Sequence, residues 1–177
     1  MIYVIRHGQT DFNKEGRMQG RKGLPLNEEG LRQANVLKEK LKDVEFHYVF
    51  SSPQERAVQT AEIISGFKSN IDERLDVFDL GEADGLKKEE VIFKGAIPDP
   101  TKYVGVEGMD QFAGRVTGFL KSLEDEKYVG MNILIAGHRC TTGVIGAYLK
   151  GVLGKDNVLK YSSDNGDYKV YNSRIVS

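Results

Sequence analysis

The chain contains 177 residues, a length that predicts one domain spanning residues 1–177 with a sizeable buried core. Lys and Arg together number 25, and Asp and Glu number 26, so the charge gives no reason to expect nucleic acid or an acidic membrane surface as the main partner. The single cysteine, Cys140, excludes an internal disulfide framework and favours a reducing compartment.

The distribution of apolar residues gives no sign of a membrane anchor or a secretion signal. No stretch approaches the roughly 20 apolar residues that a membrane-spanning helix needs. Residues 1–10 lack the basic and apolar regions of a signal peptide. We therefore expect a cytoplasmic protein that does not bind membranes, while the oligomeric state is left open.

The first predicted element is a strand at residues 2–5. This unbroken apolar run is typical of a strand buried on both faces of a parallel sheet. It leads directly into Arg6, His7 and Gly8, and the carboxyl ends of strands are where open α/β sheets bind ligands. The end of this strand is either an anion-binding site or a solvated terminus, and the three residues alone do not decide between them.

A polar, glycine-spaced loop and a helix follow. Residues 11–26 contain Asn13 and Gln19, and the loop is either functional or simply solvated. Asn27 is a good N-cap for an amphipathic helix that is expected to run to about Lys42.

The second buried strand, at residues 48–50, ends in a strong helix-start pattern. Ser52 is the expected N-cap, Pro53 occupies the first helical position and Glu55 completes a capping box. Arg56 would then lie in the first turn, beside free N–H groups and the positive end of the helix dipole, where an anion is favoured. A surface role is the alternative for an isolated arginine at this position.

Beyond a helix that ends near Gly66, the pattern is weaker. Residues 71–78 alternate loosely, as in a short strand, and lead into an acidic turn at residues 79–85. Residues 86–107 are punctuated by Pro98 and Pro100, and we expect a short lid-like insertion there, with a short helix at about 87–93. A helix is expected from Gly108 to about Asp125.

The third strand, at residues 132–136, repeats the pattern of the first, because His138 and Arg139 follow it. Thr141 or Thr142 is expected to begin the next helix. Residues 168–171 and 174–176 are expected to form terminal strands after an Asn-Gly turn. Strands that alternate with helices predict an α/β fold, a three-layer α/β/α sandwich with a mostly parallel central sheet.

Several motifs occur along the chain in a characteristic order. They are Arg6-His7-Gly8-Gln9-Thr10 with Asn13, the segments 16–20 and 25–34, Ser51-Ser52-Pro53 with Arg56-Ala57, then His138 and Asn165-Gly166. In this order they resemble the signature of the histidine phosphatase superfamily, in the branch that contains cofactor-dependent phosphoglycerate mutases and small broad-specificity phosphatases. The resemblance covers nearly the whole chain and implies a phosphoglycerate mutase-like fold.

The resemblance also implies a chemistry. His7 would be the nucleophile that forms a covalent phosphohistidine, while Arg6, Arg56 and His138 would stabilise charge on the transferred phosphoryl group. Further hydrogen bonds to the phosphate would come from two amides, those of Asn13 and Gln19. This chemistry requires no metal and no other cofactor, and the three histidines of the chain lack the spacing of a zinc motif.

One departure from the family pattern concerns the proton donor. The family places a glutamate, its general acid, where this chain has Val77, and valine cannot protonate a leaving oxygen. Asp79 is the first candidate to replace it, because side chains two residues apart in an extended chain point the same way. Glu82 is the second candidate. A leaving group that is already acidic, such as that of an acyl or aryl phosphate, would need less help.

A second departure follows His138, where the family commonly has a small residue and this chain has Arg139. Arg139 either joins the phosphate-binding site, which would favour a substrate with a second acidic group, or points outward. Cys140 resembles neither a metal-ligand cluster nor a catalytic cysteine, and we expect it to be a buried residue at the helix start.

These residues together predict a metal-independent phosphomonoesterase that hydrolyses a small phosphorylated metabolite through a phosphohistidine on His7. One alternative is a phosphoglycerate mutase-type phosphotransferase, which the short insertion at 86–107 disfavours because mutases of the family carry longer ones. The other is a degenerate family member that binds phosphorylated ligands with little turnover, as Val77 suggests.

Overall fold

A computed structural model describes residues 1–173. The strands of this part of the chain are β1 (Ile2–Arg6), β2 (Tyr48–Ser51), β3 (Asn70–Ile71), β4 (Phe93–Lys94), β5 (Ile97–Pro98), β6 (Ile133–Gly137) and β7 (Tyr168–Tyr171). The α-helices are α1 (Asp11–Lys14), α2 (Glu28–Lys40), α3 (Glu55–Ser65), α4 (Met109–Ser122) and α5 (Arg139–Leu149). The strand expected at 174–176 lies outside the described residues.

A five-stranded sheet in the order β3-β2-β6-β1-β7 forms the centre of the fold. The first four strands are mutually parallel, and β7 runs antiparallel to β1 at the edge. Arg6 at the end of β1 pairs with Gly137 of β6, and Ser51 at the end of β2 pairs with Ala136. The carboxyl ends of three strands therefore meet at one edge of the sheet.

Side chains that alternate along the strands fill two separate cores, one on each face of the sheet. Ile2 and Val4 pack against α4 and α5, whereas Ile5, on the opposite face, packs against α2 and α3. Burial on both faces explains why β1 reads as a continuous apolar run. The expected α/β sandwich with a mostly parallel sheet is confirmed.

Two helix starts differ from the expected ones. Helix α3 begins at Glu55 with Gln54 as its N-cap, and Ser52 is not the cap. Helix α5 begins directly at Arg139 with His138 as its N-cap, ahead of both threonines. Short helix α1 was not expected at all; Thr10 and Asn13 form its reciprocal capping box.

The segment between α3 and α4 is mostly irregular. Of the strand expected at 71–78, only Ile71 pairs with the sheet, as part of β3, and a 3-10 turn, Glu73–Leu75, follows. The insertion at 86–107 contains a 3-10 turn at Lys88–Glu90, shorter than the expected helix, and then an antiparallel β4–β5 hairpin. The hairpin turns through Gly95, whose φ of 67° favours glycine. Within residues 1–173, no helix is both long and apolar enough to cross a membrane.

Candidate active site

A cavity of about 150 Å³ opens at the carboxyl edge of the sheet. The ends of β1 and β6 bring His7 and His138 to it, with their ring centroids 5.2 Å apart. The β4–β5 hairpin supplies an apolar wall through Phe93, Ile97 and Pro98. A volume of this size holds a molecule about as large as benzene, so the cavity suits a small ligand.

His7 is held as a neutral imidazole with one nitrogen free. Its Nδ1 lies 2.7 Å from the carbonyl oxygen of Gly8 and, when protonated, donates a hydrogen bond to it. The lone pair is then on Nε2. Burial of the ring lowers the pKa of His7 well below its usual value, and the charges of Arg56 and Arg6 lower it further. The ring can therefore attack an electrophile at neutral pH without first losing a proton.

His138 is hydrogen-bonded to Ser52, the residue that the sequence predicted to be a helix N-cap. Its Nε2 lies 2.7 Å from the hydroxyl of Ser52, which also accepts the N–H of Gln54. Ser52 thus connects His138 to the segment that leads into α3. His138 Nδ1 is buried and has no hydrogen-bond partner within residues 1–173. Burial, followed by the charge of Arg56, lowers the pKa of His138 well below its usual value.

Two buried arginines flank the histidines. Arg6 lines the cavity and donates through Nη1 to the carbonyl oxygen of Ser163, 3.1 Å away. Arg56 is only 1% exposed and donates through Nη2 to the carbonyl oxygen of Gly20, 2.9 Å away. Burial lowers the pKa of each to about 10, so both remain charged at neutral pH. The Nε atoms of both have no partner in the described chain, a pattern typical of donors reserved for a ligand.

Arg56 lies behind the cavity wall, covered by the loop at 17–24. Gly20 and Lys22 of this loop donate their backbone N–H groups to the carboxylate of Asp84, which holds the loop in place. At Gly23, a Cβ atom would overlap Nη1 of Arg56, so any side chain there would displace the guanidinium. Nothing in the sequence pattern indicated the roles of Asp84 and Gly23, because both depend on contacts distant along the chain.

The amides of Asn13 and Gln19 also line the cavity. The Asn13 Oδ1 accepts the N–H of Thr10, and the Gln19 Oε1 accepts the hydroxyl of Thr10 at 2.7 Å and the N–H of Leu24. Because the carbonyl oxygens are occupied, the NH₂ groups are the parts of these side chains that remain for a ligand.

Val77 lines the cavity, and the polypeptide around it is firmly held. Arg115 of α4 donates to the backbone carbonyl oxygens of Arg74, Asp76 and Val77. The same guanidinium makes a bidentate ion pair with Glu107, whose side chain is only 6% exposed. The sequence interpretation did not identify this pair.

Asp79 and Glu82, the two candidates for the proton donor, are both bonded outside the cavity. The Asp79 carboxylate accepts the N–H of Gly81 and lies 3.6 Å from Arg21. Glu82 accepts the N–H of Val104 at 2.9 Å. Neither residue lines the cavity. The Asp79 side chain is instead directed along the chain, where it closes a turn by accepting the N–H of Gly81.

Arg139 and Cys140, from the first turn of α5, line the cavity together with Lys88 of the insertion. Arg139 thus contributes to the cavity while it remains exposed to solvent. Cys140 is half-buried, and burial raises the pKa of its thiol. The sequence interpretation missed Lys88 because the insertion carries no motif that fixes its position.

The two buried histidines lead to a prediction about pH and stability. Their pKa values are lowered in the folded state, so the unfolded chain binds more protons below its ordinary histidine pKa of about 6.5. The free energy of unfolding is expected to fall by about 1.4 kcal/mol for each histidine when the pH drops from 7.5 to 5.5. Urea unfolding at pH 7.5 and 5.5 measures the slope. His7→Gln should make it shallower by one histidine's share, and an identical slope in that variant would contradict a neutral His7.

Comparison with known proteins identifies the family of the chain. Residues 2–172 match the model of the histidine phosphatase superfamily (branch 1). The chain is 32% identical over 162 residues to the protein named uncharacterized phosphatase PhoE of Bacillus subtilis, covering 90% of this chain and 80% of that protein.

Solved structures show the same relationship. The α-ribazole phosphatase from Shigella flexneri has a TM-score of 0.77 at 26% identity, covering 99% of this chain and 98% of that one. A phosphoglycerate mutase from Thermus thermophilus has a TM-score of 0.72 at 28% identity, covering 94% of this chain and 90% of that one. Because the family model matches residues 2–172, the chain belongs to branch 1 of the histidine phosphatase superfamily.

Proposed function

We propose that the protein hydrolyses a small phosphorylated metabolite through a phosphohistidine formed on His7, without a metal ion. One observation carries the proposal: a neutral, buried His7 with a free Nε2 lies near two charged arginines, Arg6 and Arg56, whose Nε atoms have no hydrogen-bond partner within residues 1–173. Arginine charges at the site provide the positive field that a metal supplies in other phosphatases.

In the first step, the Nε2 lone pair of His7 attacks phosphorus, and the bond between phosphorus and the leaving oxygen breaks, with its electron pair leaving on that oxygen. Charge on the equatorial oxygens is stabilised by Arg6 and by the Nδ1 of His138, when that atom carries the proton, and Arg56 adds its positive charge from behind the cavity wall. The amide NH₂ groups of Asn13 and Gln19 position the phosphoryl group. The bond between His7 Nδ1 and Gly8 keeps the ring oriented for attack.

In the second step, water attacks the phosphohistidine, and the electron pair of the phosphorus–nitrogen bond returns to Nε2. The same cationic residues stabilise this transition state, because the phosphoryl group has not moved from its site. Both protons of the water leave on the phosphate. His7 is regenerated as a neutral ring.

Phosphate release from a panel of small phosphate esters and anhydrides, measured in the presence of EDTA, tests the proposal. We expect turnover that depends on His7 and survives EDTA. Loss of activity with EDTA and its recovery with a divalent metal would contradict the metal-independent mechanism. Interconversion of 2- and 3-phosphoglycerate without release of phosphate would favour the mutase, and turnover equal to that of His7→Gln would favour a degenerate, ligand-binding protein.

A further inference from the structure

The cavity contains no carboxylate that could protonate a leaving group. Among the described side chains that line it, none is Asp or Glu. The carboxylate adjacent to Val77, that of Asp76, accepts hydrogen bonds from Gln54 and from the N–H of Val77 and lies outside the lining. Asp79 and Glu82 are bonded elsewhere. An alkoxide leaving group would therefore depart without a carboxylic acid to protonate it.

The other polar groups of the cavity are poor substitutes for that acid. His138 is neutral, and a neutral imidazole N–H is a very weak acid. Burial raises the pKa of the Cys140 thiol, which makes it a weaker acid than an ordinary cysteine. General acid catalysis is worth about 100- to 10,000-fold, so simple alkyl phosphates are expected to be slow substrates.

Two cations at the cavity have no protein partner. Lys88 and Arg139 both line the cavity, and neither side chain makes a hydrogen bond or ion pair within residues 1–173. Burial, and then the charges of Arg139 and Arg6, lower the pKa of Lys88. These like charges are thus close enough to repel one another. A second anion on the ligand, beside the transferred phosphoryl group, would relieve that repulsion.

We propose that the preferred substrates of this site are phosphoanhydrides, in which the phosphoryl group is bonded to the oxygen of a carboxylate or of a second phosphate, and that Lys88 and Arg139 bind this leaving group. The proposal rests on the phosphatase function proposed above and names its substrate class. A leaving group of this kind departs as a stable anion, so it needs a cation and not a proton. The absence of a carboxylic acid and the presence of two unpaired cations then have one explanation.

The reaction balances without any further reactant. With an acyl phosphate, His7 Nε2 forms a bond to phosphorus while the bond between phosphorus and the carboxylate oxygen breaks. That oxygen keeps the electron pair and leaves as a carboxylate beside Lys88 and Arg139. Water then hydrolyses the phosphohistidine, and both of its protons leave on inorganic phosphate. With a diphosphate, the leaving group is a phosphate in place of the carboxylate.

Three substrates of similar size separate the possible leaving groups: acetyl phosphate, inorganic pyrophosphate and ethyl phosphate. The first two release an anion at neutral pH, one a carboxylate and the other a phosphate, whereas ethyl phosphate releases an alcohol that must be protonated. The quantity to measure is kcat/KM for each substrate with wild-type protein and variants. Acetyl phosphate alone as the good substrate would identify the carboxylate, and pyrophosphate alone would identify the phosphate.

Installing an acid at position 77 tests whether the preference for phosphoanhydrides follows from the missing proton donor. Val77→Glu is expected to raise kcat/KM for ethyl phosphate at least about 100-fold more than for acetyl phosphate, since only the alkyl leaving group benefits from a proton. Val77→Gln, equal in size and not acidic, is the matched control and should alter both substrates in similar proportion. An unchanged ethyl-to-acetyl ratio in a folded Val77→Glu protein would overturn the proposal.

Removing the cations tests whether Lys88 and Arg139 bind the leaving group. This test does not depend on the folding of Val77→Glu. Arg139→Ala and Lys88→Ala are each expected to lower kcat/KM for the anhydrides at least about 10-fold more than for ethyl phosphate. Lys94→Ala, a lysine of the same insertion outside the cavity lining, should leave all three values unchanged. If Lys88→Ala instead harms ethyl phosphate most, Lys88 is the proton donor and the proposal is wrong.

These experiments also distinguish a failure of the proposed substrate class from a failure of the phosphatase mechanism on which it rests. If neither the anhydrides nor ethyl phosphate forms a phosphoenzyme on His7, the proposed phosphatase mechanism fails. If His7 is phosphorylated and ethyl phosphate is hydrolysed as fast as acetyl phosphate, the mechanism stands and only the substrate class is wrong.

Discussion

Replacing His7 with glutamine is expected to lower phosphate release by at least about 10,000-fold for every substrate, the scale on which covalent enzymes respond to loss of their nucleophile. The physical reason is that Nε2 of His7 is the atom at the base of the cavity with a free lone pair, because Nδ1 is bonded to Gly8. The glutamine amide cannot attack phosphorus. The measurement is steady-state release of inorganic phosphate, corrected for spontaneous hydrolysis.

Trapping the covalent intermediate is a second, qualitative test of His7 as the nucleophile. Wild-type protein quenched in alkali after exposure to labelled substrate is expected to retain a phosphoryl group on His7, since phosphohistidine is labile in acid. His47→Gln is the matched control: His47 accepts the N–H of Asn132 at 3.0 Å and does not line the cavity. Its turnover and labelling should equal those of the wild type. Labelled phosphate on His7→Gln would place the nucleophile at another residue.

Much of the fold was predictable because its signals are local. The runs before His7 and before His138 are continuous in sequence, and burial on both faces of the sheet requires apolar runs of this kind. Strands β1 and β6 are parallel neighbours, so the histidines that follow them lie at the same edge of the sheet, as their positions directly after the two apolar runs suggested. The mostly parallel sheet could therefore be predicted from short segments of the sequence, each taken separately.

The site was less predictable where a side chain has several possible partners. Ser52 had every feature of a local helix cap, but its hydroxyl bonds to His138, 86 positions away. Asp79 satisfied the alternation rule for an extended chain, but it bonds to Gly81 and closes a turn. In each case a contact absent from the local pattern determined the orientation. Lys88 illustrates the same limit, since the fold of the insertion brings it to the cavity.

Arg56 carries the second large prediction. Arg56→Met is expected to lower kcat/KM by about 100- to 1,000-fold, or roughly 2.7–4 kcal/mol, as for the loss of one preorganised donor to a transition-state oxyanion. The change removes a charge that lowers the pKa of both histidines, His7 and His138. Both should therefore titrate closer to their ordinary pKa, and the activity of the variant should fall off at a higher pH than that of the wild type.

Arg32→Met is the matched control for that substitution. Arg32 lies on α2, with a side chain that is 62% exposed and paired with Glu29, so its loss should change neither activity nor stability measurably. Circular dichroism and thermal unfolding of Arg56→Met show whether the buried substitution preserves the fold. Full activity in a folded Arg56→Met protein would remove Arg56 from the mechanism.

Gly23→Ala tests the position of the Arg56 guanidinium without deleting its charge. The added Cβ would overlap Nη1 of Arg56, so the guanidinium or the loop must move. A displacement of about 1 Å in a positioning group can cost on the order of 100-fold in rate, and we expect a loss between roughly 10- and 100-fold in kcat/KM. Gly118→Ala, in α4 with open space around the added atom, is the control and should be neutral or slightly stabilising. Equal activities of the two alanine variants would mean that the guanidinium's place is not critical, leaving its charge alone as the contribution of Arg56.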